Sequence, residues 1–133
     1  QSTSNPTSIS QAAAEAALLG DKSCITPMLD AFKERHAFVV NAFNNIEGVN
    51  CIKAQGAFYS FPCAKKAIES LYKKGKIKNN NDMAFSEYLL ETKGVAVVPG
   101  SAFGTEGYFR ISFATSMDNL KEALLRIKEA IEG

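Results

Sequence analysis

Residues 108–113 read Tyr108-Phe109-Arg110-Ile111-Ser112-Phe113. Bulky apolar residues recur at every second position, the pattern of a β-strand with one face covered. Phe109, Ile111 and Phe113 turn toward a core, and Tyr108, Arg110 and Ser112 turn away from it. The covered face of such a strand needs helices packed over it, which predicts a two-layer α/β arrangement.

The neighbouring segments supply those partners. Val95 to Val98 reads as a short apolar strand stopped by Pro99-Gly100, with Gly94 closing the helix before it. That helix starts at a cap on Asp82 and carries Phe85, Tyr88, Leu89 and Leu90. Downstream, Ser116 caps a last helix with the stripe Leu120, Ala123, Leu124, Ile127 and Ile131, and Glu122 and Arg126 stand at ion-pair spacing on it.

Upstream, Gly75 to Asn81 is a polar loop, and Lys65 to Lys73 forms a short helix with Ile68, Leu71 and Tyr72 inward. Cys51–Lys53 and Ala57–Phe61 read as two strands around a Gln55-Gly56 turn. Leu29, Phe32, His36, Val39, Val40, Phe43 and Ile46 give one buried helical stripe that begins after Thr26-Pro27 and ends at Gly48. The alanine-rich run from Ser10 to Leu19 is helical and stops at Gly20, with Asn5-Pro6 as its cap and first residue. About four short strands between helices make the expected sheet mixed or antiparallel, in an α/β (α+β) two-layer sandwich. It lacks the βαβ alternation of a dinucleotide fold.

Composition excludes several function classes. The chain has 133 residues, 46% hydrophobic and 22% charged, with a net charge of +1. That is the balance of an ordinary globular domain, and it argues against a polyanionic partner such as nucleic acid. No apolar run is long enough to span a membrane. Residues 1–11 carry no secretory signal, and the start without methionine reads as a fragment. Cys24, Cys51 and Cys63 form an odd set without metal-ligand spacing, and His36 is the only histidine. Free thiols in a reducing, cytoplasmic setting and no bound metal are therefore expected.

Among candidate functional residues, Arg110 stands out. A guanidinium leaving the face opposite the core grips a carboxylate through two parallel hydrogen bonds, because the two planar groups match. The competing reading is a solvated arginine. Val95–Gly100 followed by Ser101-Ala102-Phe103-Gly104 is a strand feeding a glycine-bearing loop, without the lysine of a P-loop. Ser2-Thr3-Ser4-Asn5 precedes a helix start, where hydroxyls and free N–H groups favour anions or simply cap the helix. The lysines from Lys65 to Lys78 read as a solvated surface, His36 as a packed histidine, and Cys51 and Cys63 as thiols without a base. No nucleophile–base pair or acid pair emerges.

Four blocks, in order, resemble the C-terminal part of class I aminotransferases, the aspartate-aminotransferase family. They are residues 1–11, Gln55-Gly56-Ala57-Phe58-Tyr59, Gly94-Val95-Ala96-Val97-Val98-Pro99-Gly100-Ser101-Ala102-Phe103-Gly104, and Phe109-Arg110-Ile111-Ser112-Phe113-Ala114. The stretch around Lys65 to Asn81 looks longer and more basic than the family's. The resemblance implies the small domain of the fold-type-I pyridoxal-phosphate-dependent transferase fold. Residues 1–22 would be the end of a large domain with an interdomain helix, 23–133 the small domain, and the N-terminal cofactor-binding domain absent.

The implied parent activity is amino transfer between an amino acid, aspartate or glutamate, and a 2-oxo acid, with pyridoxal 5'-phosphate as cofactor. Arg110 would bind the substrate α-carboxylate, and Phe58 would line the pocket. Thr3, Ser4 and Asn5 would reach the partner subunit's active site in a homodimer. The Schiff-base lysine would lie in the missing domain, so no catalytic residue is assigned here and the fragment alone is expected to be inactive. Two alternatives stay open. One is another fold-type-I enzyme, such as an alanine, aromatic or kynurenine aminotransferase or a carbon–sulfur lyase. The other is an aminotransferase-like sensor domain of a transcription regulator. An independent binding module is a third, remote one.

Overall fold

A computed structural model describes residues 4–133, which divide into two compact units, one ending at Ala31 and the other running Phe32–Gly133. In the first unit, α1 spans Ser8–Leu19. Its cap is Thr7, whose hydroxyl accepts from the Ser10 N–H at 3.3 Å, so the helix starts later than Asn5-Pro6 predicts. Pro6 instead offers its carbonyl to the Gln11 side-chain amide at 2.9 Å. Gly20 ends α1, as expected. Helix α2, Ile25–Asn44, holds Pro27 in its first turn, where no intrahelical N–H is required. Leu29, predicted inward, is exposed.

The second unit contains the sheet and its helical cover. From α2, Val39, Val40 and Phe43 are buried, joined by Ile46 just beyond it. Helix α3, Lys65–Lys73, buries Ala67, Ile68 and Leu71 and leaves Tyr72 exposed, against expectation. Positions 67, 68 and 71 already complete a narrow inward stripe, and Tyr72 falls about 40° past its edge. Helix α4, Asp82–Lys93, buries Phe85 and Leu89; Leu90 faces outward. Its cap is Asn81, which accepts from the Ala84 N–H at 2.9 Å, so Asp82 is the first helical residue rather than the cap. Helix α5, Met117–Glu132, has the predicted Ser116 cap and buries Leu120, Leu124, Ile127 and Ile131, with Ala123 at the margin. Its Arg126–Glu122 ion pair closes at 2.8 Å.

Three short strands make an antiparallel sheet in the order β1 (Tyr59–Ser60), β3 (Phe109–Ser112), β2 (Val98–Pro99). Tyr59 sits opposite Ser112, and Val98 opposite Arg110. Phe109 is the centre of the core, with its ring 5.5 Å from Phe43 and 5.4 Å from Phe85.

The sheet is smaller than the sequence predicts. Cys51–Lys53 does not form a strand, because side chains of α2 take its backbone hydrogen bonds. Asn44 bonds both the N–H and the carbonyl of Cys51, at 2.8 and 2.9 Å, and His36 Nε2 accepts from the Ala54 N–H at 3.2 Å. Only Asn50 and Cys63 pair across this region. The apolar run from Val95 pairs only from Val98, because the Val95 N–H is spent on the Leu89 carbonyl closing α4. Gly94 makes that closure in the left-handed region, at φ 64°.

Candidate functional site

Alternation on β3 puts Phe109 in the core and Arg110 on the opposite face, half-buried. The guanidinium carbon lies 4.4 Å from the ring centroid of Tyr59 and 4.4 Å from that of Phe103. Both distances are within cation–π range, so two rings hold the cation. Each ring comes from a different element: Tyr59 from β1, and Phe103 from the 3₁₀ turn Gly100–Phe103 that follows β2. Among the described residues no carboxylate pairs with Arg110 and no hydrogen bond occupies its N–H groups. Stacking on ring faces leaves the in-plane N–H edges of a guanidinium available, and those edges are what a carboxylate needs.

Phe58 stands next in this row. Its ring is 4.5 Å from Tyr59 and 6.4 Å from Phe32, and its carbonyl accepts from the Phe113 N–H at 2.9 Å. Tyr59 thus links the two residues predicted to meet substrate. The rings of Tyr59 and Phe103 belong to the segments 55–59 and 94–104 singled out above, yet period and spacing could not show that they close on Arg110. They come together only through the pairing of β1 and β2 on either side of β3.

The turn carrying Phe103 is tied down at several points. Gly100 N–H donates to the Tyr108 carbonyl at 2.8 Å, Ser101 N–H donates to Asp82 Oδ2 at 2.5 Å, and Thr105 N–H returns to the Gly100 carbonyl at 3.0 Å. A cleft of about 800 Å³ is lined by Tyr59 together with Ile52, Phe61, Cys63, Lys65 and Tyr108. There, hydrogen bonding to Cys63 pushes the Tyr108 hydroxyl above its usual range.

Ser4 and Asn5 are exposed in the first unit, and Thr3 lies outside the described residues. His36 is a packing residue, stacked 5.3 Å from Phe113. Cys24, Cys51 and Cys63 are free thiols, and the described residues hold no cluster of metal-ligating side chains. No helix among them is long and apolar enough to cross a membrane.

The structure places a half-buried arginine beside two aromatic rings on the outer face of β3, and comparison with known proteins shows the family of the chain. The family model for aminotransferase class I and II matches residues 1–127. The chain belongs to this family. It is 58% identical over 127 residues to an aspartate/prephenate aminotransferase of Nitrosomonas europaea, covering 96% of this chain and 32% of the relative. An aspartate aminotransferase of Rhizobium meliloti is 48% identical over 130 residues, with 98% and 32% covered.

Among solved structures, the crystal structure of a Rhizobium meliloti aspartate aminotransferase superposes with a TM-score of 0.85 at 44% identity, over 99% of this chain and 33% of that one. An alanine aminotransferase from Pyrococcus furiosus gives 0.83 at 30% identity, over 96% and 30%. The fold is thus an α/β piece of the fold-type-I aminotransferase architecture. The chain spans about a third of the length of the curated relatives it matches.

Proposed function

We propose that the full-length protein is a pyridoxal-phosphate-dependent transaminase that moves an amino group between aspartate or glutamate and a 2-oxo acid. In it, this chain supplies Arg110 as the grip on the substrate α-carboxylate. The observation that carries the reading is the guanidinium lying over the rings of Tyr59 and Phe103, with no partner on its N–H edges among the described residues. Two parallel charge-assisted hydrogen bonds to a carboxylate fix both the position and the plane of the substrate, which is what an oriented reaction at the α-carbon requires. Both reactants carry that carboxylate beside the reacting carbon, so one arginine serves the amino acid and the oxo acid alike. The aspartate/prephenate name of the Nitrosomonas relative adds prephenate to the oxo acids worth testing.

The cofactor supplies the electron sink when bound. Residues of this chain do not fit its covalent anchoring. A Schiff-base lysine needs a desolvated pocket, whereas every lysine here is exposed except Lys93, which is half-buried and paired to Glu129 at 2.9 Å. No step is therefore assigned to these lysines. On the same reading, Phe58 lines the substrate pocket, and Thr3, Ser4 and Asn5 reach the partner subunit's active site in a homodimer. Residues 1–22 continue a large domain, with 23–133 as the small one. Three free thiols suit a cytoplasmic setting.

The test is Arg110→Ala and Arg110→Lys in the full-length holoenzyme. Losing the bidentate pair costs about 3 kcal/mol for a half-exposed charged contact. KM for both substrates then rises about a hundredfold in Arg110→Ala while the cofactor's absorbance is retained. Lysine, a point charge without the fork, recovers about tenfold of that. Unchanged KM for both substrates rejects the assignment.

A further inference from the structure

Asp82 is a buried acid with no part in the carboxylate grip as described so far. It is 1% exposed at the first position of α4. Asn81 already caps α4 through the Ala84 N–H, so the Asp82 carboxylate is free to reach out of its own helix. It does so toward Ser101 N–H, at 2.5 Å, and among the described residues no ion pair holds it. Burying a carboxylate is costly unless it is well bonded. Here the start of α4 favours the charge, and Ser101 supplies a charge-assisted bond.

That bond ends in the one turn that roofs Arg110. Ser101 is the second residue of Gly100–Phe103, and Phe103 is two residues further on. The turn is too short to have a core of its own, and Ser101, Ala102 and Phe103 are all exposed. Its position depends on its hydrogen bonds and on the edge contact of the Phe103 ring with Phe61, at 6.0 Å. Gly100 anchors it to Tyr108, the residue before β3, and Gly104, at φ 75°, closes it with its N–H on the Ser101 carbonyl at 3.0 Å. Neither of these bonds ties the turn to the helix beside it; the bond to Asp82 does.

We propose that Asp82 is a positioning residue for substrate carboxylate binding, acting through Ser101 to hold the Phe103 ring on the Arg110 guanidinium. This rests on the reading of Arg110 given above. Asp82 touches neither substrate nor cofactor. Its role is to keep one of two rings in place, so that the guanidinium plane is fixed before the carboxylate arrives. Without the bond the turn gains freedom, the roof opens, and Arg110 must be ordered by the substrate itself, which weakens binding and leaves the chemical step alone.

The experiment uses the full-length holoenzyme with Asp82→Ala, Asp82→Asn, Phe103→Ala and the double variant Asp82→Ala/Phe103→Ala. KM for both substrates, kcat and cofactor absorbance are measured for each. Loss of one exposed cation–π partner predicts that Asp82→Ala raises both KM values about fivefold with kcat held. Asparagine keeps an oxygen that accepts the same Ser101 N–H, so Asp82→Asn recovers most of the loss. The double variant is no worse than Phe103→Ala, because the two act in series.

Should Asp82→Ala not fold, Ser101→Pro removes the same bond from the donor side and carries the same expectation. An unchanged KM in Asp82→Ala, or additive losses in the double variant, overturns the proposal. A merely structural role would lower kcat, cofactor content and KM quality together and show no rescue by asparagine. Arg110→Ala separates the two levels. If it leaves KM unchanged, the carboxylate reading itself falls. If it raises KM while Asp82→Ala does not, only the role of Asp82 falls.

Discussion

Replacing Gly100 by alanine tests the packing that places the roof of the site. The backbone there lies outside the left-handed region, so alanine has no φ penalty. By the unfolded-state argument alone the substitution would stabilise by about 0.4–1 kcal/mol. The surroundings reverse that sign. A Cβ on Gly100 would stand 2.7 Å from both Cβ and the carbonyl oxygen of Tyr108, and closer still to the carbonyl oxygen of Thr105. Two of these three atoms are backbone, so no side chain can swing aside.

The same two carbonyl-bearing residues make the hydrogen bonds of Gly100, to Tyr108 at 2.8 Å and from Thr105 at 3.0 Å. Relief must therefore open the turn. Overpacking costs about 1–3 kcal/mol and one weakened hydrogen bond about 1 kcal/mol, a net destabilisation of roughly 2–3 kcal/mol after the unfolded-state gain. Urea unfolding followed by far-UV circular dichroism reads this as a lower midpoint at unchanged slope. In the full-length enzyme KM rises for both substrates as Phe103 shifts. A midpoint equal to or above that of the parent protein would refute the account of how β2, the turn and β3 are packed.

Two further expectations concern titrating groups. With a colourimetric disulfide reagent, the exposed Cys24 reacts first and the half-buried Cys63 more slowly. Cys51, whose thiol is pushed up by burial, reacts only on unfolding, and equal rates for all three thiols would contradict the described burial. The Glu69 carboxyl, bonded by Lys73 at 2.6 Å, is held below the usual glutamate range. Its pairing therefore favours the folded state above the ordinary glutamate pKa, and that contribution fades as pH falls through the lowered value. Both groups are exposed, so an NMR titration should show the Glu69 midpoint returning toward normal in Lys73→Ala and in high salt.

Much of the helical architecture was legible in the chain. Gly20, Gly94 and Ser116 mark helix ends where they were expected, and α3 has the predicted limits. These are local matters, decided by capping groups and apolar spacing within one or two turns. The strands were less legible. Cys51–Lys53 has the composition of a strand, but Asn44, seven residues back, takes both backbone bonds of Cys51, and His36 takes the N–H of Ala54 just beyond the segment. Asn81 outcompetes Asp82 as a cap, and that frees Asp82 for a bond nineteen residues distant.

The sequence by itself determined that β3 alternates, and therefore that Arg110 leaves the sheet on the face opposite Phe109. That follows from the two-residue period of an extended backbone and needs no other part of the molecule. What only the tertiary structure decided is the setting of that arginine. Tyr59 and Phe103 are fifty-one and seven residues away along the chain, and no periodicity relates them to position 110. Strand order β1-β3-β2 brings them to either side of the guanidinium. Side-chain direction is a local property of the backbone, whereas the company a side chain keeps is set by pairing between distant segments.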